Sequence, residues 1–282
     1  MGGEVNIEDF KYPKLLRNIP NPPKRIFFKG KLDSKIFENC LAVVGSRKMS
    51  FYGKKATKEI LSTVSSEVTV VSGFMYGIDA EAHRQAIKLG LKTIAVMPCG
   101  IDYIHPEDQR DLYNDILSSG GLIISELGGD TLPKVWTYPR RNRIVAGISK
   151  AVLVVEAAIK SGSLITARIG HSFGRPVFVV PGSIFSSLSA GKIQISNEFA
   201  KSIDSGFQIN AELGLGSTKS VSNNSEREDE NNAIINSLND GPMTIDDLSK
   251  HLSMNVSELS TQLTLLSMDG KVSEQGGKFY SS

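Results

Sequence analysis

The groups in this chain best suited to chemistry are anion binders, and they gather in three short segments. Gly45, Ser46, Arg47 and Lys48 follow the apolar run LAVVG, and a helical pattern starts near Tyr52 or Gly53. A glycine turn feeding a helix start offers free backbone N–H groups and the positive end of the helix dipole. A serine hydroxyl and a guanidinium fork add further donors, which together make a phosphate cradle. It is neither the GxGxxG dinucleotide fingerprint, which would need Gly where Arg47 stands, nor a Walker loop, since the sequence has no GKS or GKT. Lys160, Ser161, Gly162 and Ser163 repeat the logic before a helical run that starts near Leu164, and Gly73 closes another apolar run. The third segment, TYPRRNR at Thr137 to Arg143, sets Arg140, Arg141 and Arg143 around Asn142 at a helix start. Like charges that close repel unless a polyanion or acidic side chains compensate them, so phosphate contact by at least one is expected.

Aromatic residues are interleaved with these segments, among them Tyr52, Phe74, Trp136 and Tyr138, which are candidate base platforms. Stacking on an exposed base is worth roughly 1 to 3 kcal/mol and ignores sequence, so basic loops with aromatic neighbours suit a single strand better than a closed duplex. Acids and histidine are present, but poorly arranged for catalysis. Asp79, Glu81 and His83 share one helix, and Glu126 and Glu156 sit at strand ends, where Asp79 and Glu156 are expected to hold backbone donors or arginines. Nothing matches GxSxG, HExxH or a Cys–His pair. Cys40, Cys99 and four scattered histidines give no disulfide framework and no zinc spacing. No catalytic residue, metal or cofactor is therefore expected.

Such loops need a scaffold. Apolar runs end at Gly45, Gly73, Gly100, Gly128, Ala158 and Gly182, with amphipathic stretches between them at Gly53 to Ser65, Asp79 to Leu89 and Leu164 to Phe173. Runs apolar on both faces alternating with helices predict an α/β fold, a doubly wound and mostly parallel sheet with its ligand crevice past the carboxyl ends of the strands. The segment from Gly214 to Glu230 is polar and aperiodic, as a linker is. Beyond it, helices over Asn231 to Leu238, Thr244 to Leu252 and Val256 to Met268, closed by Asp269 and Gly270, precede a hairpin turning at Gly276 and Gly277. That pattern predicts a winged helix. The expected organisation is an N-terminal extension packing on the core over 1–40, a Rossmann-like domain over 41–213, a linker over 214–230 and a winged-helix domain over 231–282.

Charge divides along the same line. From Gly214 onward there are five basic and ten acidic residues, a balance of −5, which leaves 27 basic against 20 acidic, or +7, on the first 213 residues of a chain whose net charge is +2. A basic large domain suits a polyanion, whereas the acidic winged module, with Glu258 and no Arg or Lys on its candidate recognition helix, suits a protein contact better than duplex DNA. With 282 residues, 40% of them apolar, the chain has the composition of a globular protein. Its apolar runs fall short of the roughly 20 residues of a membrane span, and MGGEVNIEDF lacks the pattern of a secretory signal, so a cytoplasmic place is expected.

Six segments, GSRKMSFYG, SGFMYGIDAEAH, TIAVMPCGIDYIHP, YPRRNRIVAGIS, VVEAAIKSGSLITA and VFVVPGSIFSSLSAG, resemble in sequence and order the DNA-processing protein A (DprA/Smf) family over about residues 10 to 210. The winged tail resembles the C-terminal domain of many members. The resemblance implies an extended Rossmann domain that binds single-stranded DNA, forms a homodimer and helps load the RecA recombinase during natural transformation, with no reaction of its own. It places the phosphate pocket on Gly45, Ser46 and Arg47, with Arg141, Asn142 and Arg143 and the loop Ser161, Gly162, Ser163 beside it. At the rim the chain departs from the family. Glu107 stands where some members carry lysine, leaving Arg110 as the nearest substitute; Val135 takes a DNA-contacting lysine's place, with Lys134 adjacent; Met75 and Tyr76 replace a small and a commonly basic residue. A preceding helical domain is not expected, because IPNPPKRIFFKG begins almost at once. The rival reading is a nucleotide hydrolase of the lysine-decarboxylase-like (LOG) group, with a PGGxGTxxE loop. Aligned on it, Ser161 to Ile169 keeps one glycine and Thr166 but has Ile169 in place of the required acid. A third reading makes the acidic winged module the active part of an interaction scaffold.

Overall fold

The computed structural model describes residues 2–216, 233–239, 241–252, 254–268 and 270–281. The chain divides into two compact units, Met1–Thr218 and Lys219–Ser282. From residue 217 on, the expected linker lies outside the described residues, as do Asn231 and Asp269.

In the first unit the elements run β1 (Gly2–Asn6), α1 (Lys14–Arg17), β2 (Arg25–Lys29), β3 (Cys40–Val44), α2 (Phe51–Ser62), β4 (Thr69–Ser72), α3 (Ile78–Lys88), β5 (Lys92–Val96), α4 (Arg110–Ser118) and β6 (Leu122–Ser125). They continue with α5 (Thr137–Ile148), β7 (Ala151–Val154), α6 (Gly162–Ser172), β8 (Val177–Val179), α7 (Ser187–Glu198), β9 (Lys201–Ser202) and α8 (Phe207–Leu213). All nine strands form one sheet in the order β1-β2-β6-β5-β4-β3-β7-β8-β9. From β6 to β9 the neighbours pair in parallel, and β1 and β2 add an antiparallel edge through Phe27↔Ser125 and Phe28↔Ile124. The sheet is thus α/β and mostly parallel, as the alternating pattern predicts.

Period-two alternation along β3 assigns its side chains to the two helical layers. Cys40, Ala42 and Val44 pack with Ile144 and Ile148 of α5 and Leu164 and Ala167 of α6. Leu41 and Val43 pack with Ile60 and Leu61 of α2 and with Ile78 and Ala82 of α3. The chain winds outward from β3 through β4, β5 and β6, then returns by α5 to β7 on the other side of β3. That reversal is the switch point at which parallel sheets open a crevice. Two glycines let the loops there touch. A side chain on Gly45 would overlap Ile78, and Gly77, at φ 73°, lies against the Ser46 carbonyl, which accepts from Ile78 N at 3.1 Å.

The second unit is a small winged helix: helices over 233–239 (α9), Ile245–Leu252 (α10) and Val256–Met268 (α11), then strands Val272–Gln275 (β10) and Lys278–Ser281 (β11). Its core is Ile234, Leu238, Leu248, Leu259, Leu263, Leu266 and Val272. Thr244 caps α10 through Asp247 N at 3.2 Å, and the hairpin turns on Gly276 and Gly277 with φ 61° and 75°, the conformation a two-residue turn demands. Of the apolar positions expected on α11, Val256 is 44% exposed and outside this core. The side chain of Glu258 lies outside the described residues.

His83 illustrates what burial does in the first unit. Its Nδ1 lies 2.7 Å from Thr93 Oγ1, and that hydroxyl donates to Val70 O at 3.0 Å, so Nδ1 is the donor to Thr93. Desolvation, helped by Arg141 and Arg84, pushes its pKa down to about 3. The unfolded chain, at the usual value near 6.5, therefore takes up the proton first. Stability due to this group is intact above about pH 6.5 and is lost as pH falls toward 3, by up to several kcal/mol. Urea denaturation across that window is expected to show the loss, and His83→Gln to reduce the pH slope; an unchanged slope would place the acid sensitivity elsewhere.

Candidate nucleic-acid interface

A cavity of about 400 Å³ opens at the carboxyl edge of the sheet, over the switch between β3 and β7. The β3 loop supplies Gly45, Ser46 and Arg47, and the β4 end supplies Gly73 and Met75. One face of α5 brings Tyr138, Arg141 and Asn142, and the start of α6 brings Ser161, Gly162 and Ser163. Segments more than 100 residues apart in sequence thus converge on one concavity.

Of the helices that begin at this edge, α2 and α6 follow the two serine-bearing loops, and the structure reverses the expectation for the first. The start of α2 is not an open cradle. Glu156, just beyond β7 and 3% exposed, accepts from Ser50 N at 3.0 Å and from the Ser50 hydroxyl, while Ser50 Oγ accepts from Gly53 N at 3.1 Å. An internal carboxylate therefore takes the place at the positive end of α2 that a phosphate was expected to fill. A side chain on Gly53 would collide with that carboxylate, which gives the glycine its reason. The α6 start differs. Ser161 is its N-cap with no side-chain hydrogen bond to the backbone N–H groups of the first turn; its hydroxyl instead bonds the Ser163 hydroxyl at 2.6 Å on the cavity wall. This terminus, not that of α2, presents its dipole to the cavity.

The three arginines of α5 part company. Residues 140 and 143 share one helix face and 141 another. Arg140 binds Glu126 through Nε at 3.0 Å and Nη2 at 2.9 Å, and Arg143 donates to Glu126 at 2.6 Å and to Asn21 O at 2.7 Å. The mutual repulsion is met by an acid of the same chain, and neither arginine lines the cavity with Arg47. Arg141 alone turns inward. It is 5% exposed, donates from Nη1 to Val96 O at 2.7 Å and lies against Gly73, where any side chain would overlap its guanidinium. Burial lowers its pKa to about 10, opposed by Asp79, so it keeps its charge at neutral pH. Asp79, held by Met75 N at 3.4 Å, has its pKa raised by the same burial and lowered by Arg141 and Arg47. Two arginines and one aspartate are the charged groups lining the cavity, leaving it positive.

The candidate base platforms also divide. Phe74 is fully buried at φ 57° and packs edge-on to Tyr113, so no base can reach it. Tyr138 stands on the cavity wall with the Arg47 guanidinium 5.3 Å from its ring centroid, and its hydroxyl is 2.8 Å from His105 Nε2. His105, 33 residues away, is a partner that no spacing in the sequence signals. Tyr52 and Trp136 are 49% and 53% exposed; Tyr52 donates to Pro181 O at 2.7 Å and Trp136 lies under Arg140 at 5.8 Å. Lys48, Arg110, Lys134 and Lys160 are exposed residues outside the cavity lining. Among the described residues no group of three His, Cys, Asp or Glu side chains could hold a metal, and no helix is long and apolar enough to cross a membrane.

Comparison with known proteins places these features in a family. Residues 4–214 match the family model for DNA recombination-mediator protein A, and residues 219–278 match that for the DprA winged helix domain. The chain belongs to the DprA/Smf family of DNA-processing proteins. It is 40% identical over 208 residues to the DNA processing protein DprA of Streptococcus pneumoniae, covering 74% of this chain and 73% of that one. The crystal structure of the pneumococcal protein superposes with a TM-score of 0.71, again over 74% and 73% of the two chains. The Smf protein of Synechocystis is 39% identical over 211 residues, and this chain spans about half of it, 53%, from 73% of its own length. A structure of DNA processing protein A from Helicobacter pylori, solved for insight into that protein's single-stranded DNA binding mode, is 28% identical with a TM-score of 0.65 over 75% of this chain and 95% of that one.

Gly73→Ala tests the packing beneath the cavity. The added methyl displaces the Arg141 guanidinium, and the expected result is a loss of about 1 to 3 kcal/mol in chemical denaturation. An unchanged midpoint would mean that Arg141 moves aside freely and is not a fixed floor.

Proposed function

We propose that this protein binds single-stranded DNA without sequence preference in the cavity at the carboxyl edge of its sheet. The observation that carries the reading is the convergence of Arg47, the buried but charged Arg141 and the uncapped start of α6 on one concavity. Fixed donors around a net positive charge suit a phosphodiester. Tyr138 beside Arg47 offers a ring on which an unpaired base can stack. The single-stranded DNA binding of the Helicobacter pylori relative supports the same reading. Loading of RecA onto the bound strand during transformation, a homodimer as the working form and a cytoplasmic location complete the proposal; their support is the family to which the chain belongs.

The proposal includes no chemical reaction. The carboxylate on the cavity wall, Asp79, is buried between Met75 N and the charge of Arg141, and Ile169 stands at the place of the acid in the hydrolase loop. Incubation with nucleoside monophosphates is expected to release no free base, and turnover would overthrow this part.

Binding itself is tested by anisotropy of a labelled oligothymidylate over a range of salt. For a single strand log K falls by about 0.7 per neutralised phosphate for each unit of log salt. Arg47→Ala is expected to weaken binding about tenfold to a hundredfold and to flatten the slope by about one contact, whatever the base composition. An unchanged slope and affinity would remove Arg47 from the interface.

A further inference from the structure

Outside the cavity, one helix face of the first unit gathers lysines beside the Arg47 loop. Lys48 precedes α2, and Lys54, Lys55 and Lys58 are exposed on it. Among the described residues none of the four joins an ion pair, although Arg25, Lys29, Arg140, Arg143, Arg168 and Lys201 all do. Glu59 is the one acid on the helix, and it pairs with none of them. Lys54 and Lys58 are four residues apart, a spacing at which like charges destabilise a helix. Phe51, in the first turn, is 82% exposed.

Structure alone gives this helix little reason for such a face. Its internal needs are met on the opposite side, where Ile60 and Leu61 enter the core and Glu156 occupies its start. The face is instead continuous with the cavity: Arg47 lines the cavity, Lys48 follows it in the chain, and α2 begins three residues later. Successive lysines on one side of a helix lie about 6 Å apart along its axis, a spacing that an extended polynucleotide can match phosphate by phosphate.

Resting on the reading that the cavity binds a single strand, we propose that the exposed face of α2 carries that strand onward. In this assignment Lys48, Lys54, Lys55 and Lys58 neutralise successive phosphates, and Phe51 offers a ring to one base. A strand that leaves the cavity on the Arg47 side meets these groups in order. Their flexible, unpaired ammonium groups act as point charges, so the contact adds length dependence and salt dependence but no sequence preference.

The experiment uses the full chain and two oligothymidylates, one of four nucleotides and one of twenty, with salt titrations on each. The wild type is expected to bind the longer strand more tightly and with a steeper salt slope. A triple Lys54→Gln, Lys55→Gln, Lys58→Gln variant is expected to lose about 2 from the slope on the long strand, at 0.7 per phosphate, and to keep its affinity for the short one. The triple Lys→Arg variant restores the long-strand slope, and Phe51→Ala lowers long-strand affinity while leaving the slope unchanged. Circular dichroism confirms that each variant is folded. If the Gln variant keeps the full slope on the long strand, the track is wrong while the cavity reading stands. If it loses affinity only for a duplex or for an acidic peptide, the occupant has been misassigned. If the wild type binds neither oligonucleotide, both readings fall.

Discussion

A charged guanidinium beneath a glycine organises the centre of this protein. Arg141 is nearly inaccessible to solvent, and burying a charge is tolerated only when hydrogen bonds and a counter-charge replace the lost water. Val96 O accepts from Nη1 and Asp79 supplies the counter-charge, while the buried Nε has no partner among the described residues. Several features follow from that placement. Position 73 has room for no side chain, α5 must present residue 141 toward the sheet, and the helix period then carries residues 140 and 143 round to Glu126. The cavity floor acquires a positive charge that solvent cannot screen as it screens a surface lysine.

The starts of α2 and α6 follow the same electrostatic logic. A helix N-terminus attracts an anion, and the protein supplies one internally at α2, where Glu156 meets Ser50, while leaving α6 without a side-chain cap on the cavity wall. The internal acid stabilises the first site. A ligand is left to do the equivalent at the second. Lys192 shows that the region around Glu156 is a closed network: buried, bonded to Val155 O at 2.8 Å and with its pKa lowered to about 8 by burial, it sits with Glu156 as its opposing influence. Under the proposed reading, anion binding is thereby concentrated at α6, Arg47 and Arg141.

Much of this was legible in the chain, and the unread part has a common cause. Runs apolar on both faces ending in glycine mark the parallel strands, a doubly wound sheet puts its site among those glycines, and the family resemblance sets the Arg141 to Arg143 segment and the Ser161 loop beside Gly45; the cavity gathers all of them. Which of two similar helix starts would be open was not legible, since it turns on Glu156, more than 100 residues from Ser50. The fate of three adjacent arginines was equally hidden. Their sequence spacing shows that they diverge, but not that Glu126 waits on one side and Gly73 on the other. Phe74 misled for a similar reason: neighbouring basic loops suggest an exposed ring, whereas the turn at φ 57° points it into the core. Local pattern specifies elements and shared edges; long-range partners decide which charge remains free.

That distinction separates the cations nearest the cavity by physical role. Arg141 is buried and immobile, so it contributes a fixed potential and little adaptability. Arg140 and Arg143 are held by Glu126 at 2.6 to 3.0 Å, so much of their charge is already met inside the chain. Arg47, lying over Tyr138, and the lysines of α2 belong with the exposed cations in no ion pair, among them also Lys31, Lys35, Lys88, Arg110, Lys134 and Lys160, and such groups are those that release counterions when a phosphate arrives. A net charge of +7 on the first 213 residues therefore overstates what a strand can meet. Only the positive groups without an internal acid are free to meet a phosphate, and part of that set, Arg47 with Lys48, Lys54, Lys55 and Lys58, runs from the cavity mouth along one helix.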